Sequence, residues 1–174
     1  MIRALFLDRD GVINEDYGYV YSIDKFVFRP GIFELAARAR DREFVIIVIT
    51  NQAGIGRGYY NEKDFDDLTK WMVNQFKLRG IDIVQTYWCP HHPTHGVGEY
   101  KKDCRFRKPN PGMILKAAND HGLDLAKSIL IGNKLSDIEA GQQAGIKSLC
   151  FIGNDLVTEI PCEKITQLKE FKFY

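Results

Sequence analysis

Five short apolar runs, rich in β-branched and aromatic residues, recur along the chain with helical patterns between them. They are residues 3–7, 45–50, 83–88, 128–131 and 148–152. Runs of this kind indicate strands buried on both faces, and strands that alternate with helices indicate a parallel sheet covered by helices on both sides. The pattern therefore predicts an α/β fold. A chain of 174 residues without a linker predicts a single domain over residues 1–174.

Four of the intervening segments carry helix signals. They are residues 31–40, 61–80, 111–121 and 135–144. In the second segment Asn61 is a favourable N-cap, apolar residues then recur every three or four positions, and Gly80 ends the pattern. A short C-terminal helix is also predicted near residues 163–170.

Charge and hydropathy disfavour two classes of partner, nucleic acids and membranes. The 24 Lys and Arg residues nearly balance the 23 Asp and Glu residues, which leaves a formal net charge of +1. Such a balance does not favour binding to nucleic acid or to an anionic membrane. No apolar run approaches the roughly 20 residues of a membrane span, and the N-terminus lacks the features of a signal peptide. We expect a cytoplasmic monomer that binds neither nucleic acid nor membrane.

Two carboxylates follow the first predicted strand. Asp8 and Asp10 lie two residues apart, and Gly11 allows the backbone to bend so that both can face the carboxyl edge of the sheet. Such a pair suits a nucleophile with an acid/base partner, or a site for a hard metal ion. The structural alternative is a turn with two capping aspartates. It explains one aspartate better than it explains both.

A loop at residues 89–107 is rich in metal-binding residue types. Cys89, His91 and Cys104 offer three ligands of the kind that Zn²⁺ prefers, and His92, His95 or a water could supply a fourth. The loop could equally pack through its apolar residues and bind no metal.

A glycine-rich run follows the second predicted strand. Gly54, Gly56 and Gly58 resemble part of a dinucleotide-binding fingerprint, but their spacing differs from GxGxxG. We therefore predict no NAD site there.

Four motifs occur in an order that is similar to that of the haloacid dehalogenase superfamily of phosphotransferases. They are Asp8-x-Asp10-Gly11, Thr50-Asn51-Gln52, Arg107-Lys108-Pro109 and Gly132-x-Lys134-x-x-Asp137. Within that superfamily, residues 6–11, residues 16–20, the Cys-Pro-His-His loop and Arg-Lys-Pro resemble the heptose 1,7-bisphosphate phosphatases, and next the histidinol-phosphate phosphatases. The resemblance implies a Rossmann-like open sheet in the order 3-2-1-4-5, with no cap domain.

The resemblance also implies a mechanism. Asp8 would attack phosphorus and form an aspartyl-phosphate, and Asp10 would protonate the leaving oxygen and later deprotonate water. Thr50 would hold a phosphoryl oxygen, and Lys108 would offset the charge of the transferring group. Mg²⁺ would be held by Asp8, the Asp10 carbonyl and residue 133.

The implied substrate is a small phosphorylated sugar. Its predicted contacts are Asp16, Tyr17, Gly18, Tyr19, Asn51, Gln52, Ala53, Arg107 and Lys134. Arg107 beside Lys108 could hold a second phosphate with two hydrogen bonds and so distinguish a bisphosphate from a monophosphate.

Two positions depart from the pattern of the family. Asn133 stands where the family has an aspartate on Mg²⁺, and Phe106 stands where the heptose branch has a fourth zinc ligand. An amide oxygen still binds a hard cation, but without charge, so Mg²⁺ should bind less tightly. Tolerated variation, a weakened enzyme and an inactive ligand-binding relative all stay open.

Overall fold

A single parallel sheet of six strands organises the chain, and the computed structural model describes all residues 1–174. The strands are β1 (Arg3–Leu7), β2 (Phe44–Asn51), β3 (Ile83–Cys89), β4 (Ile129–Gly132), β5 (Ser148–Ile152) and β6 (Glu163–Ile165). Their spatial order is β3-β2-β1-β4-β5-β6. The predicted α/β fold and the order 3-2-1-4-5 are confirmed, with a sixth strand added beside β5.

Five helices connect these strands. They are α1 (Ile32–Arg40), α2 (Ala53–Gly56), α3 (Glu62–Lys77), α4 (Gly112–His121) and α5 (Leu135–Ala144). The four predicted helices are confirmed to within a few residues, and α2 is a single turn within the glycine-rich run. No helix in the structure combines the length and the apolar character needed to cross a bilayer.

The C-terminal prediction was wrong. Residues 163–170 form no α-helix: β6 pairs with β5, and a 3-10 turn follows at Leu168–Glu170. Ile165, Leu168 and Phe171 are all buried, and their three-residue spacing resembles the spacing of a helical stripe. By pairing with β5, the short strand covers an edge whose backbone would otherwise be exposed.

The central strand β1 separates two apolar layers because its side chains alternate between the two faces of the sheet. Leu5 and Leu7 pack in a cluster with residues of α1 and α3. Ala4 and Phe6 pack in a second cluster with residues of α4 and α5. The two layers hold β1 rigidly, and Asp8 directly follows its carboxyl end.

Helix α3 begins with a complete capping box. The Asn61 side chain accepts a hydrogen bond from the Asp64 backbone N–H at 2.9 Å, and the Asp64 carboxylate accepts one from the Asn61 N–H at 3.0 Å. Both donors would otherwise lack a partner at the helix end. The box fixes where α3 starts after the glycine-rich run.

We expect Asn61→Ala to lower the free energy of unfolding by about 1 kcal/mol, because it removes the capping acceptor. Urea denaturation followed by circular dichroism measures the change. Asn74→Ala is the matched control, since Asn74 is exposed within the same helix, and it should change stability little. An equal loss in both variants would contradict the capping role.

Candidate active site

A cleft of about 480 Å³ opens at the carboxyl ends of β1, β2 and β4. Eleven of the predicted site residues line it: Asp8, Asp10, Asp16, Gly18, Tyr19, Asn51, Gln52, Ala53, Arg107, Lys108 and Lys134. Parallel strands place their carboxyl ends at one edge, which is why residues far apart in the chain meet there. Tyr17 lies outside this cleft and is 66% exposed.

The ammonium group of Lys108 lies at the centre of the site. Its Nζ donates to Asp8 Oδ1 at 2.8 Å and to the Ile49 carbonyl oxygen at 3.0 Å, and it lies 2.6 Å from Asp137 Oδ1. All three side chains are buried. One buried cation therefore offsets two buried carboxylates.

This arrangement shifts the pKa values of both Asp8 and Lys108. Burial raises the pKa of Asp8 to about 7, and the charge of Asp137 adds to the rise, while Lys108 opposes it. Burial acts to lower the pKa of Lys108, but the charges of Asp137 and Asp8 and their hydrogen bonds raise it above its ordinary value. Lys108 is therefore charged at neutral pH, whereas the Asp8 carboxylate is held in an environment that disfavours its charge.

Asn51 holds the backbone of Lys108 in place. Its Nδ2 donates to the Lys108 carbonyl oxygen at 3.0 Å, and its Oδ1 accepts from the Lys108 N–H at 3.0 Å. Predicted as a substrate contact, Asn51 uses both ends of its amide on the protein. Its contact with substrate stays a prediction.

Asp10 is held by three side chains. Arg9 donates from Nε and Nη2 to Asp10 Oδ1 at 3.2 and 2.9 Å, and Asn14 donates to the same oxygen at 3.0 Å. Gln52 donates to Asp10 Oδ2 at 3.0 Å. Arg9 is 1% exposed, and its role was not predicted because an arginine between two aspartates has no local signal of burial.

Gln52 and Thr50 form a buried pair beneath the cleft. Gln52 Nε2 also donates to the Thr50 hydroxyl at 2.8 Å, and the Tyr60 hydroxyl donates to Gln52 Oε1. The amide of Gln52 is thus fully engaged with protein groups. This network orients Thr50 and Asp10 together, and Tyr60 is a second residue that the sequence analysis missed.

Three polar groups converge where a cation was predicted. One terminal atom of the Asn133 amide lies 3.1 Å from Asp8 Oδ2 and 3.1 Å from the Asp10 carbonyl oxygen. If that atom is nitrogen, the amide donates to both oxygens; if it is oxygen, three oxygens face one another, and a cation would satisfy all three. The donor set therefore fits a hard ion such as Mg²⁺.

Two neighbours fix the position of Asn133. A Cβ atom on Gly11, whose φ is +94°, would lie 2.0 Å from Asn133 Nδ2, so only glycine fits there. The Asp137 carboxylate accepts hydrogen bonds from the Asn133 and Lys134 N–H groups at 3.0 Å each. Asp137 thus links the loop that carries Asn133 to Lys108.

The three zinc-type residues of the 89–107 loop do come together. One ligand atom from each of Cys89, His91 and Cys104 lies within 4.8 Å of the others. Cys89 is fully buried, and burial raises the pKa of its thiol to about 12. His92 and His95 lie outside this cluster, since His92 Nδ1 instead accepts backbone hydrogen bonds from Thr94 and His95.

Comparisons with known proteins agree with the resemblance seen in the sequence. Residues 105–152 match the family described as "HAD-hyrolase-like". The chain is 59% identical over 150 residues to the D-glycero-alpha-D-manno-heptose-1,7-bisphosphate 7-phosphatase of Burkholderia mallei, which covers 86% of this chain and 79% of that relative. The chain belongs to this family of haloacid dehalogenase phosphatases.

Two further members extend the family comparison. The D-glycero-beta-D-manno-heptose-1,7-bisphosphate 7-phosphatase of Escherichia coli K12 is 41% identical over 160 residues, covering 91% of this chain and 84% of that relative. The crystal structure of the D,D-heptose 1,7-bisphosphate phosphatase of B. bronchiseptica, complexed with magnesium and phosphate, aligns with a TM-score of 0.82 at 28% identity, over 96% and 94% of the two chains. The family prediction is confirmed.

The buried charges of this family member predict opposite effects of two substitutions on the metal-free protein. Lys108→Met leaves two buried carboxylates without a cation and should lower the free energy of unfolding by about 3–5 kcal/mol. Asp8→Asn removes the excess negative charge and should raise it by about 1 kcal/mol. Urea denaturation in the presence of a chelator measures both changes.

The effect of Asp8→Asn should depend on pH. Between the ordinary pKa of 3.8 and about 7, folded Asp8 keeps a proton that the unfolded chain releases. The wild-type protein therefore loses stability as the pH rises through this window, and the variant does not. The difference should be largest at pH 7 and above. A variant that is less stable than wild type at pH 8 would contradict this reading of the charges.

Proposed function

We propose that this chain is a phosphatase that removes the 7-phosphate of D-glycero-α-D-manno-heptose 1,7-bisphosphate through an aspartyl-phosphate at Asp8. The observation that carries the proposal is the meeting of Asp8, Asp10 and Lys108 in one cleft, in a chain that is 59% identical to a relative of that name. The α anomer is favoured because two relatives named for it are 59% and 47% identical, whereas relatives named for the β anomer are 41–44% identical. A cytoplasmic monomer acting on this small sugar is part of the same proposal.

The chemistry follows from the residues of the cleft. The Asp8 carboxylate attacks phosphorus while the bond between phosphorus and the sugar oxygen breaks, and Asp10 gives its proton to that oxygen. Asp10 then takes a proton from a water that attacks the acyl phosphate, which releases phosphate and restores Asp8. The hydrogen bonds of Arg9, Asn14 and Gln52 orient Asp10 for both transfers.

Lys108 and Thr50 stabilise the transferring group in this proposal. The Lys108 ammonium lies 2.8 Å from Asp8, so its charge is close to the phosphoryl oxygens. The Thr50 hydroxyl, oriented by Gln52, would donate to one of these oxygens. Asn51 contributes by holding the backbone of Lys108.

Two metal ions are part of the proposal. Mg²⁺ would be held by Asp8, the Asp10 carbonyl and Asn133, and it would offset negative charge on the transferring phosphate. Zn²⁺ would be held by Cys89, His91 and Cys104 and would order the loop. With Phe106 at the fourth position, a water would complete the zinc site.

Phosphate release from three substrates tests the function. We expect the α anomer of heptose 1,7-bisphosphate to be hydrolysed with a higher kcat/KM than the β anomer and than histidinol phosphate, at millimolar Mg²⁺. Asp8→Asn should abolish release. Faster turnover of histidinol phosphate would overturn the substrate assignment, and binding without release in the wild-type protein would favour the ligand-binding alternative raised by Asn133.

Substitution of Asn133 tests the magnesium site directly. Asn133→Asp adds a charged ligand and should lower the Kd for Mg²⁺ on the order of 10-fold, measured by isothermal titration calorimetry. Ser136→Ala, which alters a neighbouring lining residue without a carboxylate, is the control and should leave the Kd unchanged. An unchanged Kd in Asn133→Asp would show that residue 133 does not reach the cation.

A further inference from the structure

One end of the cleft carries side chains that the chemistry at Asp8 does not use. Arg57, His92 and Arg107 line it together, and we call this group the cationic end. Only Arg107 was predicted from the sequence as a phosphate contact. Arg57 belongs to none of the four motifs.

The guanidinium of Arg57 has no partner in the protein. Its Nε is buried and makes no hydrogen bond, and no carboxylate lies within ion-pair distance of Arg57 or Arg107. Arg107 makes one hydrogen bond, from Nη1 to the His91 carbonyl oxygen at 3.3 Å. Each guanidinium has five N–H donors, so nearly all of these donors are free.

The members of the cationic end lie close enough to affect one another. Burial lowers the pKa of Arg107, and the positive charge of Arg57 lowers it further. Burial also lowers the pKa of His92, with Arg107 and Arg57 adding to the effect. Like charges held together without counter-ions are costly, and a bound anion removes that cost.

The glycine-rich run explains how Arg57 reaches this position. A Cβ atom on Gly54 would lie 2.2 Å from the Tyr60 ring and 2.8 Å from the Tyr19 ring, and one on Gly56 would lie 2.4 Å from the Pro90 carbonyl oxygen. Helix α2 can therefore pack against Tyr19, Tyr60 and Pro90 only because residues 54 and 56 are glycines. Arg57 follows directly, with its Cζ 5.8 Å from the centre of the Tyr19 ring.

We propose that Arg57, paired with Arg107, binds the second phosphate of the substrate and sets the preference for a sugar bisphosphate over the corresponding monophosphate. This inference rests on the proposed function, in which the first phosphate lies at Asp8. Two planar guanidinium groups match the oxygens of a phosphate and bind it with paired hydrogen bonds. Arg57 is thus a specificity residue, outside the groups that make and break bonds.

Steady-state kinetics with two matched substrates tests the inference. Heptose 1,7-bisphosphate and heptose 7-phosphate share the reacting group and differ only in the second phosphate. Arg57→Gln should lower kcat/KM for the bisphosphate about 10- to 100-fold, chiefly by raising KM, because it removes charge-assisted hydrogen bonds to the substrate. The same variant should leave kcat/KM for the monophosphate nearly unchanged. Arg57→Lys keeps the charge and loses the paired geometry, so its kcat/KM for the bisphosphate should lie between those of the wild-type protein and Arg57→Gln.

Arg105→Gln is the matched control. Arg105 is exposed in the same basic segment, and its Cζ lies 5.4 Å from the centre of the Phe106 ring, away from the cleft lining. It should leave both substrates unaffected. Equal losses for both substrates in Arg57→Gln, or no loss for either, would overturn the inference.

Failure of the proposed function is distinguishable from failure of this inference. If the wild-type protein releases phosphate from neither heptose substrate, the function is wrong, and calorimetry with fructose 1,6-bisphosphate and fructose 6-phosphate then tests the cationic end alone. If the wild-type protein binds the bisphosphate more tightly than the monophosphate, and Arg57→Gln abolishes this difference, the result would support the anion site. Equal affinity for the two sugars would overturn it.

Discussion

The contact of one buried ammonium with two buried carboxylates organises this site. Lys108 bridges Asp8, at the end of β1, and Asp137, in the first turn of α5. Asp137 in turn accepts hydrogen bonds from the backbone that carries Asn133. The Asp8 carboxylate, the Lys108 ammonium and the loop that carries the Asn133 amide are therefore parts of one network, and none can move without breaking a buried polar contact.

The fold supplies this network with rigid supports. Strand β1 lies at the centre of the sheet between two apolar layers, so the residue that follows it has little freedom. Asn51, at the end of the neighbouring β2, holds the backbone of Lys108 across 57 residues of sequence. The site buries more negative than positive charge, which lowers the stability of the fold. The apolar layers on either side of the sheet must offset that cost.

Sequence patterns predicted the parts of this structure that depend on local signals. Strand-end position identified Asp8 and Asp10, and the N-cap at Asn61 located α3. The use of Asn51 as a backbone clamp and the burial of Arg9 arise from tertiary contacts, and no local pattern reports them. The error at residues 163–170 has a similar origin, since apolar residues spaced by three are compatible with both a helix and the strand and turn that form. Arg57 was missed because the glycines around it were compared with a dinucleotide-binding fingerprint, whereas Gly54 and Gly56 let α2 approach Tyr60 and Pro90.

Compared with an aspartate, the amide of Asn133 would alter how strongly the cleft attracts a metal ion and a phosphate group. When Asp8 is ionised, Asp8, Asp10 and Asp137 carry three negative charges, and Arg9 and Lys108 carry two positive ones. An aspartate at 133 would add a fourth negative charge, which would attract a divalent cation more strongly and repel a phosphate more strongly. With Asn133, a cation bound as proposed would be held by one charge fewer, and the cleft with its cation would be more positive by one charge. In the proposed function, the cationic end at Arg57 and Arg107 would act in the same direction, and the charge of a substrate with two phosphates would help to hold the cation in place.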